Sequence, residues 1–461
     1  MNDISYDVRI HGIEKRKNAE GAVTSYRLSW KVAGKPWKER FGTAAQADAF
    51  RSELMTAARR GEAFSLATGR PASWAREQSA LRWYAFTLAY VDTKWPYASP
   101  NHRRGIAEAL TDATEALLTG DCGHSREARR AALRWAYSAR VRDNEDPPTD
   151  LIPVIRWLET NTIPMTALAT RGTGAALVRN ALTRISQTKE GKAAAANTAN
   201  RKRMVLNNAM EYACEIGVLS SNPLKAVKWT KPRTLTSVDP RVVINTDQAR
   251  RFLAAVEAHS ERGKRMKAFF GCMYYAGLRP EEAVDLRREH LISLPEAAEE
   301  WGEMRLTNAE PRSGSRWTNN GKPRERRSLK HRADGDTRPV PIHPDLVALL
   351  RSHLVAYGVG AEGRVFVGPR NGLMTDRAYL KVFHDARAKA FTKEEAASPL
   401  MDVPYSLRHA AVSTWLRTAG DPAQVAEWAG HSVAVLLRVY AKCIHGMEKE
   451  ALRRIWDATR R

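Results

Sequence analysis

Cysteine is scarce and scattered in this chain. The four cysteines, Cys122, Cys214, Cys272 and Cys443, form no C-x-x-C pair, so neither a disulfide framework nor a structural zinc site is indicated. Reduced thiols in a cytoplasm fit that pattern. Long apolar runs are also missing: nothing approaches the ~20 residues that a membrane-spanning helix needs. The opening Met1-Asn2-Asp3-Ile4-Ser5 lacks the basic-then-apolar layout of a secretory signal. Acid is the third shortage, with 51 Asp and Glu against 74 Lys and Arg and a formal net charge of +23 over 461 residues. An enzyme of small metabolites has little use for that excess, whereas a protein that neutralises phosphates along a duplex does. Nucleic acid is therefore the first partner to expect.

The length suggests about three domains. Tyr26 to Val32 alternates Tyr, Leu, Trp and Val with Arg27, Ser29 and Lys31, the period of a half-buried strand. Trp37 to Phe41 repeats it after Gly34, with Lys38 and Arg40 on the polar face, and Val8 to Ile13 offers a third strand. Ala47, Phe50, Leu54 and Ala58 then recur at helical spacing between Ala44 and Arg60. Residues 1–70 are thus expected to form a three-stranded sheet on one helix, its outer face carrying Arg27, Lys31, Lys38 and Arg40. A basic sheet face can lie in a DNA groove; a merely solvated face reads the same way.

From 74 to 229 nothing reads as a strand, and amphipathic segments near Leu81–Val91, Ile106–Leu118, Ala131–Arg142, Ala176–Ile185 and Asn200–Leu219 are predicted as helices. The last begins with Arg201, Lys202 and Arg203, although positive charge opposes the dipole at a helix N-terminus. Either a phosphate or a neighbouring acidic side chain is expected to offset it. Residues 230–243, rich in Pro, Ser, Thr and charge, read as a linker, and 244–461 as a further domain. The expected class is mainly α with small β-sheets (α+β).

Chemistry concentrates between Tyr405 and Tyr440. Tyr405-Ser-Leu-Arg408-His409 precedes a helical run, then Ala429-Gly430-His431-Ser432, then Val439-Tyr440. Asp421 reads as a helix N-cap before Pro422, Gly430 as a stop and Ser432 as the next cap, so Arg408, His431 and Tyr440 can converge. Arg offers bidentate donors to a phosphate, His a proton near neutral pH and Tyr an oxygen nucleophile. Upstream, Arg279 lies in the turn Ala276-Gly277-Leu278-Arg279-Pro280, three residues before Glu282. Between Pro311 and Arg332 eight Lys and Arg face the single acid Glu325. This stretch reads as an exposed, extended loop or hairpin leading into Lys330 and, across an Asp334-Gly335-Asp336 turn, Arg338-Pro-Val-Pro-Ile, the layout of a β-hairpin.

Taken in order, A-G-L-R, the lysine, the second arginine, G-H and the tyrosine resemble the motifs of the tyrosine recombinases, the phage-type integrases, over about the C-terminal half. The resemblance implies an arm-type DNA-binding domain, a helical core-binding domain and a mostly helical catalytic domain. It implies Tyr440 as nucleophile forming a 3′-phosphotyrosyl link, Arg279, Arg408 and His431 as stabilisers of the transition state, and Lys330 as proton donor to the leaving 5′-oxygen, with Lys322 its competitor in the same loop. Glu282 matches an acidic position that orients the arginine in the family, and Tyr405 and His409 are, from their places beside Arg408, further candidates to support the site. It also implies double-stranded DNA attachment sites as partner, a homo-tetramer on two duplexes, a cytoplasmic, nucleoid-associated location and chemistry that needs no cofactor or metal, with the final helix, Glu448 to Trp456, docking on a neighbour and room for an accessory directionality or DNA-bending protein. The departure is Tyr405: the family usually has His three residues before the second arginine. His409, next to Arg408 on a helix, is expected to point elsewhere. A catalytically inactive DNA-binding regulator and a type IB topoisomerase remain the alternatives.

Overall fold

The computed structural model describes residues 4–17, 23–74, 81–120, 123–170, 172–234, 237–330, 335–368, 371–419, 421–444, 452–453, 456–457 and 459–460. The expected final helix, Glu448 to Trp456, falls mostly outside them. The chain divides into two compact units, Met1–Tyr97 with Gly105–Lys231, and Ala98–Arg104 with Pro232–Arg461. Among the described residues, no helix is long and apolar enough to cross a membrane. The fold is mostly helical with small antiparallel sheets.

In the first unit, β1 (Ile4–Ser5) is followed by β2 (Val8–Ile10), β3 (Glu14–Lys17), β4 (Val23–Val32) and β5 (Lys35–Phe41). The long β4 is the centre of the sheet. It pairs with β5 from Tyr26↔Phe41 to Val32↔Lys35, and its other edge is shared by β2, at Val8↔Val32 to Ile10↔Trp30, and β3, at Glu14↔Arg27 to Lys17↔Val23. The sequence led us to expect three strands. The fourth, Glu-Lys-Arg-Lys, is exposed throughout and has no apolar alternation to betray it; it forms because β4 is long enough to leave ladder donors and acceptors beyond the end of β2. Leu28, Trp30 and Val32 are buried beneath α1 (Ala44–Arg59), which is capped by the Thr43 hydroxyl and contributes Ala47, Leu54 and Ala57. Phe50 meets the rings of Trp30, Phe41 and Trp74 at 5.7, 5.2 and 5.4 Å.

A second two-stranded pairing joins β1 to β6 (Phe64–Ser65). The helices α2 (Trp83–Lys94), α3 (Pro100–Ala116), α4 (Arg126–Ala136), α5 (Ala139–Asn144), α6 (Ile152–Thr160), α7 (Gly174–Ile185) and α8 (Ala196–Glu215) follow. The segment predicted as one helix over 131–142 is broken at Tyr137, whose buried hydroxyl is held by Thr87 at 2.9 Å and Thr114 at 3.0 Å. α6 carried no prediction.

The second unit contains α9 (Thr246–Glu257), α10 (Glu261–Tyr275), α11 (Pro280–Val284), β7 (Leu291–Ser293), β8 (Gly302–Leu306), β9 (Asn308–Ala309), β10 (Arg327–Ser328), β11 (Arg338–Ile342), α12 (Pro344–Tyr357), α13 (Asp376–Ala390), α14 (Lys393–Ala397), α15 (Tyr405–Thr418), α16 (Pro422–Ala429) and α17 (Val433–Ile444). Its core gathers Phe252, Phe269, Phe270 and Phe383 with Leu407, Val412, Val425 and Leu436. The stretch read as a linker is not tether throughout. Val238 is buried in this core and its N–H donates to the Val439 carbonyl at 2.7 Å, while Val242 accepts from Met401 N–H at 3.2 Å. Apolar Val238, Val242 and Val243 explain why the segment packs.

Two expectations for the basic stretch are corrected. β10 pairs with β9, and β11 with β8, so the two do not form a hairpin with each other; of its expected turn, Asp334 lies outside the described residues. The stretch 311–326, expected as an exposed, extended loop or hairpin, does fold back on itself, with Arg312 bridged antiparallel to Arg324, but it is partly buried, at Ser313, Trp317, Thr318 and Arg324. Ser313 and Gly314 both donate to the Pro323 carbonyl at 3.0 Å, Thr318 Oγ1 donates to the Lys322 carbonyl at 2.7 Å, and Glu325 accepts from the Asn319 N–H at 2.9 Å. Its arginines are absorbed by distant acids: Arg324 is buried on the Glu310 carbonyl and Asp376, and Arg326 meets Asp285 at 3.2 Å.

Candidate active site

Glu282 is the hub of the second unit's polar core. It is 1 % exposed and takes both nitrogens of Arg338 at 2.8 and 2.7 Å, the Arg279 guanidinium at 2.6 Å and the Arg279 N–H at 2.8 Å. That last bond caps α11, so one carboxylate both starts the helix and aims Arg279. Burial alone would raise the Glu282 carboxyl, but Arg338 and Arg279 hold it well below the usual carboxylate range. Gly277 makes the turn possible: its φ is +59°, and a Cβ there would meet Trp415 at 2.9 Å. Arg279 also donates to the Gly430 carbonyl at 3.2 Å.

Arg408 lies one turn into α15 and is fully buried. It donates to the Gly277 and Ala429 carbonyls, and its Nη2 is 3.3 Å from His431 Nε2. It thereby ties the arginine turn to the end of α16. The expected caps are in place: Asp421 accepts from Ala423 N–H at 2.8 Å, Gly430 adopts φ +62°, and Ser432 accepts from Val435 N–H at 3.3 Å. Gly430 is required there, because a Cβ would lie 2.7 Å from Arg338 Nη1. His431 is consequently surrounded by cations. Burial, then Arg408, Arg279 and Arg338, bring its pKa down to about 3. Its Nδ1, with Nε of Arg338 and of Arg408, is buried without a hydrogen-bond partner.

Tyr440, on α17, is 1 % exposed and its ring stacks on His431 at 6.3 Å. His409 does not point elsewhere: its Nδ1 is 3.0 Å from the Tyr440 hydroxyl oxygen. The residue after Arg408 sits about 100° further round the helix, and α17 runs alongside that flank. Burial and then Arg408 lower the His409 pKa to about 4, so the ring is neutral near pH 7. The Tyr405 ring meets the His409 ring edge-on at 5.0 Å and lies 6.0 Å from the Arg408 guanidinium.

These groups surround a cavity of about 660 Å³ whose walls include Arg279, Lys330, Asp336, Tyr405, His431 and Ser432. Lys330 is exposed and reaches this wall; Lys322 is not on it. Of the sequence-predicted residues, Arg279, Glu282, Lys330, Tyr405, Arg408, His409, His431 and Tyr440 are thus brought together. Arg338 was missed. It is 1 % exposed and, with Arg279, grips the Glu282 carboxylate directly, while Arg408 acts on that carboxylate from further off. Its role depends on β11 meeting α11, and no local motif marks it.

The expected DNA-binding residues lie in the first unit. On the outer sheet face Arg27 stands opposite Arg40, Ser29 opposite Lys38 and Lys31 opposite Arg9. Arg16 joins them opposite Ser25, and Glu14, which pairs with Arg27, is the acid among them. The basic triplet of α8 is different. The helix starts at Ala196, so Arg201, Lys202 and Arg203 lie beyond its first turn. Lys202 binds buried Asp112 at 2.5 Å, beside Arg130 at 2.7 Å, and Arg203 lies over the Trp229 ring at 4.9 Å. An acidic neighbour therefore answers the Lys202 charge, and Arg201 remains exposed.

Neither a family model nor a curated protein matches the chain. Solved structures similar to it include the Tn1549 transposon integrase in complex with a circular intermediate DNA, at 18 % identity over 71 % of this chain and 98 % of that one, with a TM-score of 0.48. The XerH site-specific recombinase bound to its palindromic difH substrate is 13 % identical over 81 % and 96 %, with a TM-score of 0.49. The lambda integrase bound to DNA is 11 % identical over 65 % and 90 %, with a TM-score of 0.38.

Proposed function

We propose that this chain is a tyrosine recombinase of the phage-integrase type, which cuts and rejoins DNA at attachment sites and thereby integrates a mobile element. The observation that carries this reading is the convergence of Arg279, Lys330 and His431 on one cavity next to Tyr440, with Arg408 behind them. Tyr440 attacks the scissile phosphorus and forms the 3′-phosphotyrosyl link. Arg279 and His431 face the non-bridging oxygens, while Arg408 and Arg338 add positive potential from a water-poor interior. Lys330 protonates the departing 5′-oxygen. Because the phosphodiester is exchanged for another phosphate ester, no external energy source is needed.

Catalysis would take place on paired attachment sites held by a homo-tetramer, the basic sheet face contacting arm-type DNA. The test uses a duplex spanning the junction between the element and its host, nicked beside the cleavage point so that the cut strand is lost. Wild type should give a covalent protein–DNA adduct on a denaturing gel and Tyr440→Phe none. Tight binding of that duplex by wild type without any adduct would refute the reading in favour of a DNA-binding regulator.

A further inference from the structure

We propose that His409 is the general base of the cleavage step, its Nδ1 taking the phenolic proton of Tyr440 as that oxygen attacks phosphorus. The inference rests on the recombinase reading and adds to it a residue for which the resemblance supplies no such role. The geometry is direct: His409 Nδ1 stands 3.0 Å from the Tyr440 oxygen, within the range of a proton-transferring hydrogen bond. Tyr440 is 1 % exposed, so its proton leaves through a protein group rather than into bulk water.

The competing groups are held by cations or are unsuited as bases. His431 stacks on Tyr440 with ring centroids 6.3 Å apart, and its Nε2 faces Arg408 at 3.3 Å. Glu282 is held by Arg279 and Arg338. Tyr405 occupies the position where the resemblance leads one to expect a histidine, and a phenol is a poor base near neutral pH. What Tyr405 does offer is an edge-on contact with the His409 ring at 5.0 Å, which fixes the plane of the imidazole. Base duty has thereby moved one residue past Arg408, with Tyr405 as its positioning residue.

The groups facing His409 are Tyr405 and Arg408 on its own helix and Tyr440 from α17. Arg408 is the charged one, and with burial it keeps the ring neutral and able to accept. In the forward step the Tyr440 oxygen–phosphorus bond forms, the Tyr440 proton passes to His409, the bond from phosphorus to the 5′-oxygen breaks, and that oxygen takes a proton from Lys330. Rejoining reverses each transfer, His409 returning the proton to Tyr440.

The test uses the same junction duplex with sulfur in place of the bridging 5′-oxygen at the cleavage point. A thiolate leaves without a proton, so Lys330 drops out and the rate reports the nucleophile side alone. His409→Asn keeps a hydrogen-bond acceptor for the tyrosine but cannot take its proton. Between pH 6 and 8, adduct formation by wild type should be flat, whereas His409→Asn should be about a hundredfold slower or worse at pH 7 and climb about tenfold per pH unit as phenolate accumulates. An Asn variant with the wild-type rate and flat profile would overturn the proposal and leave His409 a positioning residue. If that variant fails to fold, wild type alone decides, since a wild-type rate that itself climbs tenfold per unit over this range means that no base acts. Absence of any wild-type adduct would instead strike the recombinase reading.

Discussion

Replacing Glu282 with Gln tests whether one carboxylate holds the site together. The side chain is 1 % exposed and its partners Arg338 and Arg279 are 1 % and 12 % exposed, so solvent screens little of the interaction. Gln keeps the shape but leaves Arg279, Arg338 and Arg408 buried without a counter-charge. Removing one partner of a buried, hydrogen-bonded charge cluster costs about 3–5 kcal/mol. For a unit of this size that corresponds to a fall in Tm of roughly 6–20 °C. The pH dependence has a defined sign. A carboxyl whose folded pKa is depressed contributes stability above its unfolded pKa of about 4.3, and loses it only as pH falls toward the folded value. Because Arg338 and Arg279 hold Glu282 far below the ordinary range, the deficit should be the same at pH 7 and pH 5 and shrink below about pH 4. Differential scanning calorimetry at pH 7, 5 and 3 is the assay. Inorganic phosphate, supplying negative charge to the same guanidinium groups, should restore part of the lost Tm in Glu282→Gln and raise wild type less. A fall of under 2 °C at pH 7, or a deficit that grows on acidification, would refute the argument that the cluster is held by this charge.

Gly430→Ala forces an L side chain into φ +62° and drives its Cβ to 2.7 Å from Arg338 Nη1; a loss of about 2–4 kcal/mol in urea denaturation is expected from the left-handed strain and the displaced arginine together. His431, with its pKa brought down to about 3 by burial and the arginines, is neutral when folded but protonates near pH 6.5 when unfolded, so wild type loses stability as pH falls below that value. His431→Gln should flatten the decline between pH 7 and pH 5 by about 1 kcal/mol, allowing for partial solvent screening, as read from urea midpoints. Replacing exposed Lys31 and Lys38 together by Ala should lower the slope of log affinity against log salt by about 2 for arm-site DNA if both contact phosphates; an unchanged slope in fluorescence anisotropy would return that face to solvent.

The parts of the site that were legible in the sequence are those whose geometry is set within a turn or two. Asp421, Pro422, Gly430 and Ser432 announce where α16 begins and ends and where α17 starts, which fixes Arg408, His431 and Tyr440 relative to one another. Gly277 and Pro280 place Arg279 in the same way, and Glu282 follows at capping distance. Arg338 was not legible because its partner is 56 residues away and the contact exists only once β11 joins β8. The turn at 334–336 misled for a related reason. Local composition favoured pairing β10 with β11, but each had a closer-fitting partner upstream, in β9 and β8. The reading of His409 was right about its angle to Arg408 and wrong about what lies at that angle, since helical periodicity says where a side chain points and nothing about which helix arrives to meet it. The loop 311–326 shows the same limit for charge: a run of arginines reads as solvated until Asp285 and Asp376 are brought in from outside the run.

The charge balance of the cluster bears on which state of a phosphate it favours. Arg279, Arg338 and Arg408 carry three positive charges and Glu282 one negative, leaving a net excess of two in a largely dry environment. A phosphodiester in duplex DNA brings one negative charge, whereas the pentacoordinate state formed when a tyrosine oxygen adds to it carries close to two. Interactions accelerate a reaction only insofar as they strengthen on the way to the transition state, and a fixed surplus of two charges strengthens most against the species that matches it. The partnerless buried nitrogens of Arg338, Arg408 and His431 point the same way, because donors left unsatisfied in the folded protein are paired at no further cost of desolvation when charge develops beside them. Glu282 therefore has two effects that pull against each other. It lowers the positive potential that would stabilise the reacting phosphate, yet without it the arginines would repel one another out of the arrangement that creates the potential.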